Sequence, residues 1–318
     1  MANVSSKKLS SVAIMGMILS FLEAPSRTPW VTYIAHFNLN ATDDLVEYAT
    51  ASATPQMRKW TSGREAKKLF AQSVELRTED FEATVFDRVA NWMYDKTGLL
   101  KKRVAAFANR SQTHWDKLAT EAIELGESTL TYDGTAFFSA SHSTNKSGTL
   151  KNLVTASEVA ALNVTTAAAP TPAEAVDIIF GLLNHFKTFK DDAGEPIYED
   201  LMSITVMVPV NMGPAFLQAA TAKILASGSS TKDNPLLGTD YEVKILVNPR
   251  LTSTTVIYAF TNEGDPALIC QQRGPVEMSK KAEGSDYEHD TNQWEFGMKA
   301  NRTVGLFCWQ AALKATLS

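Results

Sequence analysis

The stretch YDGTAFFSASHS, Tyr132–Ser143, sets an aspartate, three serines and a histidine around two phenylalanines. Two readings compete for it. One is a hydrolytic centre using Asp133, Ser139 and His142; the other is an architectural turn. Triad members usually come from separate elements, with the serine raised on a strained turn beside oxyanion donors. Here all three sit in one short segment. Tyr-Asp-Gly also reads as a turn in its own right, because aspartate bonds its own backbone and glycine supplies a positive φ. Phe137 and Phe138 then anchor that turn to a core. Architecture is the favoured reading, and a serine hydrolase the weaker alternative.

Upstream lies a long helical pattern. Leu100, Val104, Phe107, Trp115, Leu118, Ala122 and Leu125 recur at three- and four-residue steps, interrupted by Ser111, and Gly126 stands where a C-terminal cap belongs. A helix from about Lys96 to Leu125 spans roughly 45 Å at ~1.5 Å per residue, long for a compact domain. Before it, KLFAQSVELR and DFEATVFDRV alternate polar with β-branched and aromatic residues, as strands do. Arg58, Lys59, Arg64, Lys67, Lys68, Arg77, Glu79, Asp80 and Glu82 surround them. A charged two-stranded segment buries little and is marginal alone. It either lies on its own chain or reaches a neighbour. WVTYIAHF, Trp30–Phe37, is also strand-like.

Downstream, Thr171-Pro172-Ala173-Glu174 is a capping box with proline at the first helical position. The helix it opens carries Val176, Ile179, Leu182, Leu183 and Phe186 and ends near KDDAGEP. The strand SITVMVPV follows, then a helix from Pro214, then a polar loop SGSSTKDNP at Ser227–Pro235. YEVKILVN, TTVIYAFT, ALICQQR and the long WEFGMKANRTVGLFCWQAAL read as strands. Regular βα alternation is absent, so the class is α+β with an elongated part.

The bulk properties exclude several functions. A net charge of −5 disfavours strong direct DNA binding. Two cysteines, Cys270 and Cys308, are too few for a disulfide framework and lack metal-ligand spacing. VAIMGMIL, Val12–Leu19, is too short to span a membrane. Behind Lys7 and Lys8 it mimics a secretory signal, but Glu23-Ala24-Pro25 is no cleavage site; an apolar arm that docks on something is the better reading. Phosphate-loop, dinucleotide, zinc-protease and nucleophile-elbow motifs are missing, and the five histidines form no ligand pair. SDYEHD, Ser285–Asp290, lacks calcium-loop spacing and reads as a solvated turn. No cofactor or metal is expected.

The Tyr-Asp-Gly turn, two bulky residues, then serine and histidine after a long helix resemble the major head subunit of Mu-like tailed phages. PQMRKW (55–60), FEATV (81–85) and Glu23-Ala24-Pro25-Ser26 resemble the same family upstream. Downstream the order VMVP, NPLLG, VNPRL, IYAF, PALICQQR, GPVEM, WEFGMKANR and GLFCWQAALKA is similar too. The resemblance covers about residues 21–318. It implies the HK-ninety-seven-type capsid fold, an α+β fold with an N-terminal arm (1–45), an extended hairpin loop (46–94), a spine helix (95–129), an axial domain (130–265) and returning peripheral strands (266–318). Its function would be a capsid protein assembling into hexamers and pentamers around double-stranded DNA, without sequence-specific binding. Expected partners are other copies, a portal, a scaffold or maturation protease, and a decoration protein. Its location would be the virion, and the host cytoplasm during assembly. An encapsulin-type bacterial cage is the alternative. Inter-subunit contacts are expected at Ile14, Met17, Leu19 and Phe21 in the arm, at Trp60, Arg64, Lys67, Lys68, Arg77, Glu79 and Asp80 in the loop, and at Asp286, Tyr287 and Glu288.

Overall fold

The computed structural model describes residues 10–23, 28–53, 70–94, 99–144, 147–227 and 230–318. Its longest helix, Leu99–Glu124, covers 26 residues, or about 39 Å at ~1.5 Å per residue. Of the expected stripe, Leu100, Val104 and Trp115 are buried, Phe107, Leu118 and Ala122 are half-buried, and Leu125 is exposed; after Trp115 the inward face runs through Ala119 and Ile123 instead. Ser111, which interrupts the stripe, is buried as well. It is polar for a reason, since its carbonyl and hydroxyl receive the Arg302 guanidinium at 2.7 and 3.0 Å. The helix closes in a short 3-10 turn, Leu125–Glu127. Gly126 is not needed there for a left-handed cap, because its φ is not positive. It is needed because a Cβ would stand 2.5 Å from the Phe138 ring.

The long helix packs on a four-stranded sheet ordered Ala35–Asn38, Leu268–Lys281, Gln293–Leu306, Glu79–Arg88. The first pair is parallel and the others antiparallel. Two of these strands run 14 residues, roughly 46 Å at ~3.3 Å per residue, so helix and sheet are of comparable length. Phe37 meets Trp115 edge to face at 5.4 Å, and Phe81 meets His114 at 4.4 Å.

The strand pairing corrects one expectation. Both segments before the helix are strands, but they do not pair with each other. Phe70–Arg77 pairs with Leu45–Ala53 in a separate two-stranded sheet, while Glu79–Arg88 joins the four-stranded sheet through Gln293–Leu306. Thr78 is the switch between them. It is buried, and its N–H donates to the Asp44 carbonyl at 2.9 Å. The reason lies in the alternation within Glu79–Arg88, whose Phe81, Ala83 and Val85 turn towards the body. The candidate protruding segment therefore begins near Leu45 and ends at Arg77, not at Tyr94.

A five-stranded mixed sheet forms the second layer, ordered Glu242–Val247, Ser203–Val208, Val256–Phe260, Ala312–Thr316, Leu153–Val154. Helices Pro172–Phe186 and Gly213–Thr221 pack together beside it. The capping box at Thr171 is present in full. Three further expectations change. Trp30–Tyr33 is a 3-10 turn leading into the strand Ala35–Asn38. The polar loop near Ser227 is a small hairpin, Ile224–Ser227 with Ser230–Asp233. The final long strand breaks at Trp309–Ala311, and its remainder crosses into the five-stranded sheet beside Val256–Phe260. Most buried apolar residues form one cluster spanning both sheets, with a smaller second cluster at Ile14, Ile18, Trp92, Leu100, Val104, Trp294 and Phe296.

Candidate assembly surfaces

The Tyr132–Ser143 stretch is a packed junction. Gly134 takes φ +76, and the Asp133 carboxylate accepts from its own Thr135 N–H at 2.9 Å, as a turn requires. Phe137 and Phe138 are fully buried. His142 is also fully buried, stacked on Trp309 at 3.9 Å. Its Nδ1 lies 2.6 Å from Asp133, but its Nε2 faces the Phe137 carbonyl and Asn152 Oδ1, each at 3.2 Å. Ser139 Oγ instead lies 3.3 Å from Ser141 Oγ. The Asp–His pair thus exists without a serine on it, and His142 supports the turn. Burial pushes the Asp133 carboxyl up, but hydrogen bonds from His142, Thr135 and Thr131 outweigh it and hold its pKa below the usual range.

Both cysteines are buried and free, and burial raises their thiols, Cys308 to about 12. Among the described residues no cluster of ligands could hold a metal ion, and no helix is long and apolar enough to cross a membrane.

The base of the hairpin Leu45–Arg77 is tied to its own chain. Tyr48 donates to Gln271 at 3.1 Å, Thr50 bonds Asp265, and Leu76 lies over Gly305. Trp60, Arg64, Lys67 and Lys68 lie outside the described residues. Arg77, Glu79 and Asp80 are exposed. Asp80 already receives Asn301 at 2.9 Å and Lys299 at 3.1 Å, which lower its pKa.

The N-terminal helix Ser11–Glu23 docks on its own chain. Ile14 and Ile18 are fully buried in the smaller cluster, and Met17 and Phe21 pack partly against it. Ile14, expected at a contact between subunits, is covered within its own chain by the smaller cluster beside the long helix. Leu19 and Val12 face outward, 40% and 67% exposed. Alternation along an amphipathic helix decides this, and the sequence stretch is apolar on too many sides to reveal which face docks.

A groove of about 920 Å³ opens beside this helix, lined by Phe86, Trp92, Tyr94, Leu99 and Phe107 among others. Phe86 is 61% exposed on the edge strand of the four-stranded sheet. Sequence reasoning missed it. The signal was there: in DFEATVFDRV, Phe86 falls on the face opposite Phe81 and Val85.

At the far end of the sheet, Asp286–Thr291 forms a short helix between the two long strands, where a turn was expected. Ser285 accepts from Glu288 N–H at 3.2 Å, and Glu288 accepts from Gly284 N–H at 2.7 Å. This capping pattern, Ser285 with Glu288 three residues on, was readable in the sequence. Tyr287 donates to Gln293 at 3.2 Å, while Asp286 stays exposed.

A family model for the Mu-like prophage major head subunit gpT matches residues 20–169, just under half of the chain. No curated protein sequence matches. Among solved structures, the procapsid of bacteriophage JBD30 is similar at TM-score 0.52 and 14% identity, covering 98% of this chain and 77% of that one. The capsid of cyanophage P-SCSP1u reaches TM-score 0.55 at 10% identity, covering 100% and 93%. The mature capsid of bacteriophage PhiM1 reaches 0.53 at 9%, covering 92% and 88%. Residues 20–169 are similar by sequence to the Mu-like prophage major head subunit, and the chain as a whole carries the HK-ninety-seven-type fold of phage capsid subunits.

Proposed function

We propose that this chain is a major capsid subunit that assembles with copies of itself into hexamers and pentamers of an icosahedral head around double-stranded DNA. The family match over residues 20–169 carries this reading. The architecture supports it physically. The two-stranded sheet of Leu45–Ala53 and Phe70–Arg77 shares no strand with either large sheet, and such a hairpin gains stability by lying across another surface. In this reading Leu45–Arg77 is the extended loop, Leu99–Glu124 the spine, and the five-stranded sheet the axial domain. Phe86, Leu19 and Asp286 meet neighbouring copies through different patches on each partner, the heterologous contact that closes rings. A portal, a scaffold or maturation protease and a decoration protein complete the particle, which assembles in the host cytoplasm. The turn at Tyr132–Ser143 is architectural, and the chain has no catalytic role.

Negative-stain microscopy of the expressed chain tests the reading. Closed shells or ring-shaped capsomers are expected. A species that stays monomeric in sedimentation at high concentration, across pH and salt and with its scaffold co-expressed, would refute it.

A further inference from the structure

Between the long helix and the middle of the four-stranded sheet lies a cavity of about 350 Å³. Arg110 and Lys117 reach it from the helix, Lys299 and Arg302 from the strand Gln293–Leu306, and Arg250 from the loop after Glu242–Val247. Among the described residues Glu82 is the one carboxylate lining it, and it accepts from the Thr84 hydroxyl at 2.6 Å. A chain of net charge −5 thus gathers five cations around one small space.

Arg302 is 3% exposed. Its guanidinium donates to Gln272 Oε1 at 2.6 Å and to Ser111 at 2.7 and 3.0 Å, and stacks 4.6 Å from the Trp115 ring centroid. All these acceptors are neutral. A buried cation without a counter-charge is costly, and burial pulls its pKa down to about 10, still charged at neutral pH. Lys117 and Lys299 have exposed carboxylate partners in Glu121 and Asp80, at 3.7 and 3.1 Å. Arg110 and Arg250 have no ion-pair partner among the described residues. His114, which also lines the cavity, feels the same field: burial, then Arg302 and Lys117, push its pKa down to about 4.

The donors converge from a helix, a strand and a loop. That arrangement surrounds a tetrahedral anion better than a planar carboxylate, and guanidinium forks match phosphate oxygens in pairs. We propose that this pocket binds a phosphate-type oxyanion, either free or as the phosphodiester of a nucleic acid strand, held chiefly by Arg110, Arg250 and Arg302. The pocket lies within one chain, so its occupancy does not depend on shell assembly.

The test uses the full chain, titrated calorimetrically with inorganic phosphate at constant ionic strength, and a short DNA duplex followed by fluorescence anisotropy over a salt series. The double variant Arg110→Gln/Arg250→Gln is expected to lose at least about tenfold in affinity, with an unchanged thermal midpoint because both side chains are exposed. Its duplex salt slope falls by roughly one to two. Lys101→Gln/Lys102→Gln also removes two positive charges, both from the long helix outside the pocket, and leaves affinity intact. A loss in the phosphate arm assigns a free anion; a loss in the duplex arm alone assigns a phosphodiester. Absence of binding in both arms overturns the proposal, as does equal weakening by the two double variants. Displacement by a glutamate-rich peptide at concentrations where phosphate fails would transfer the pocket to a carboxylate partner and also overturn it.

Discussion

Asn152 joins three distant pieces of chain. Its amide donates to the Phe137 and Trp309 carbonyls at 2.7 and 3.1 Å, and its Oδ1 accepts from Ser139 N–H at 2.8 Å. It is fully buried. Asn152→Ala leaves several buried polar groups unpaired, at about 1–3 kcal/mol each before relaxation. We expect a loss of at least ~2 kcal/mol in urea unfolding of the unassembled protein. Ser139→Ala, by contrast, should change stability by less than about 0.5 kcal/mol, since among the described residues its hydroxyl bonds only the Ser141 hydroxyl and N–H. Ester hydrolysis should be nil in both proteins; activity abolished by that substitution would restore the hydrolase reading. Gly126→Ala forces a Cβ into the Phe138 ring, and overpacking of this kind costs about 1–3 kcal/mol. The sequence made Tyr-Asp-Gly legible as a turn because its chemistry is local. It could not reveal Asn152, whose partners come from remote segments.

The helix Pro172–Phe186 begins with reciprocal bonds: Glu174 N–H donates to Thr171 Oγ1 at 3.3 Å, and Thr171 N–H to Glu174 Oε2 at 2.7 Å. Burial alone would raise the Glu174 pKa, but these bonds and those from Thr165 lower it from 4.5 to about 2. The folded value lies below the unfolded one. Its contribution is therefore complete above about pH 4.5 and is lost as pH falls through about 2. Glu174→Gln should cost on the order of 1 kcal/mol at pH 7, given its partial exposure. The gap to the unsubstituted protein should close towards pH 2 in denaturant titrations; a gap that persists there would count against the pairing. Elements like this one, with caps and apolar periodicity, were readable from the sequence. Strand partnership was not. Phe70–Arg77 and Glu79–Arg88 look alike in sequence, yet a single buried threonine separates two different sheets, and only the partners at Leu45–Ala53 and Gln293–Leu306 distinguish them.

For the whole molecule, the question is which surfaces its own core leaves unused. The N-terminal helix illustrates the limit of composition: Ile14 and Leu19 are equally apolar, but only one faces outward. Phe86 is the sharper test. It projects from an edge strand into the groove beside Tyr94 and Leu99. Phe86→Asp should leave subunit stability within about 0.5 kcal/mol, as surface substitutions usually do. It should lower the yield of shells or capsomers in sedimentation. Normal particles from this variant would remove the groove from the assembly surface.

The crossing of Ala312–Thr316 into the five-stranded sheet also dictates timing. That strand sits between Val256–Phe260 and Leu153–Val154, and Asn152 waits for Trp309, 157 positions later. Until the ribosome has delivered this stretch, the emerging polypeptide holds an open sheet edge and an unfilled seam. Contacts so far apart in sequence form late. Nascent chains still tethered before residue 312 therefore lack the strand that joins the two halves of this sheet, and any surface resting on it waits for translation to pass that point.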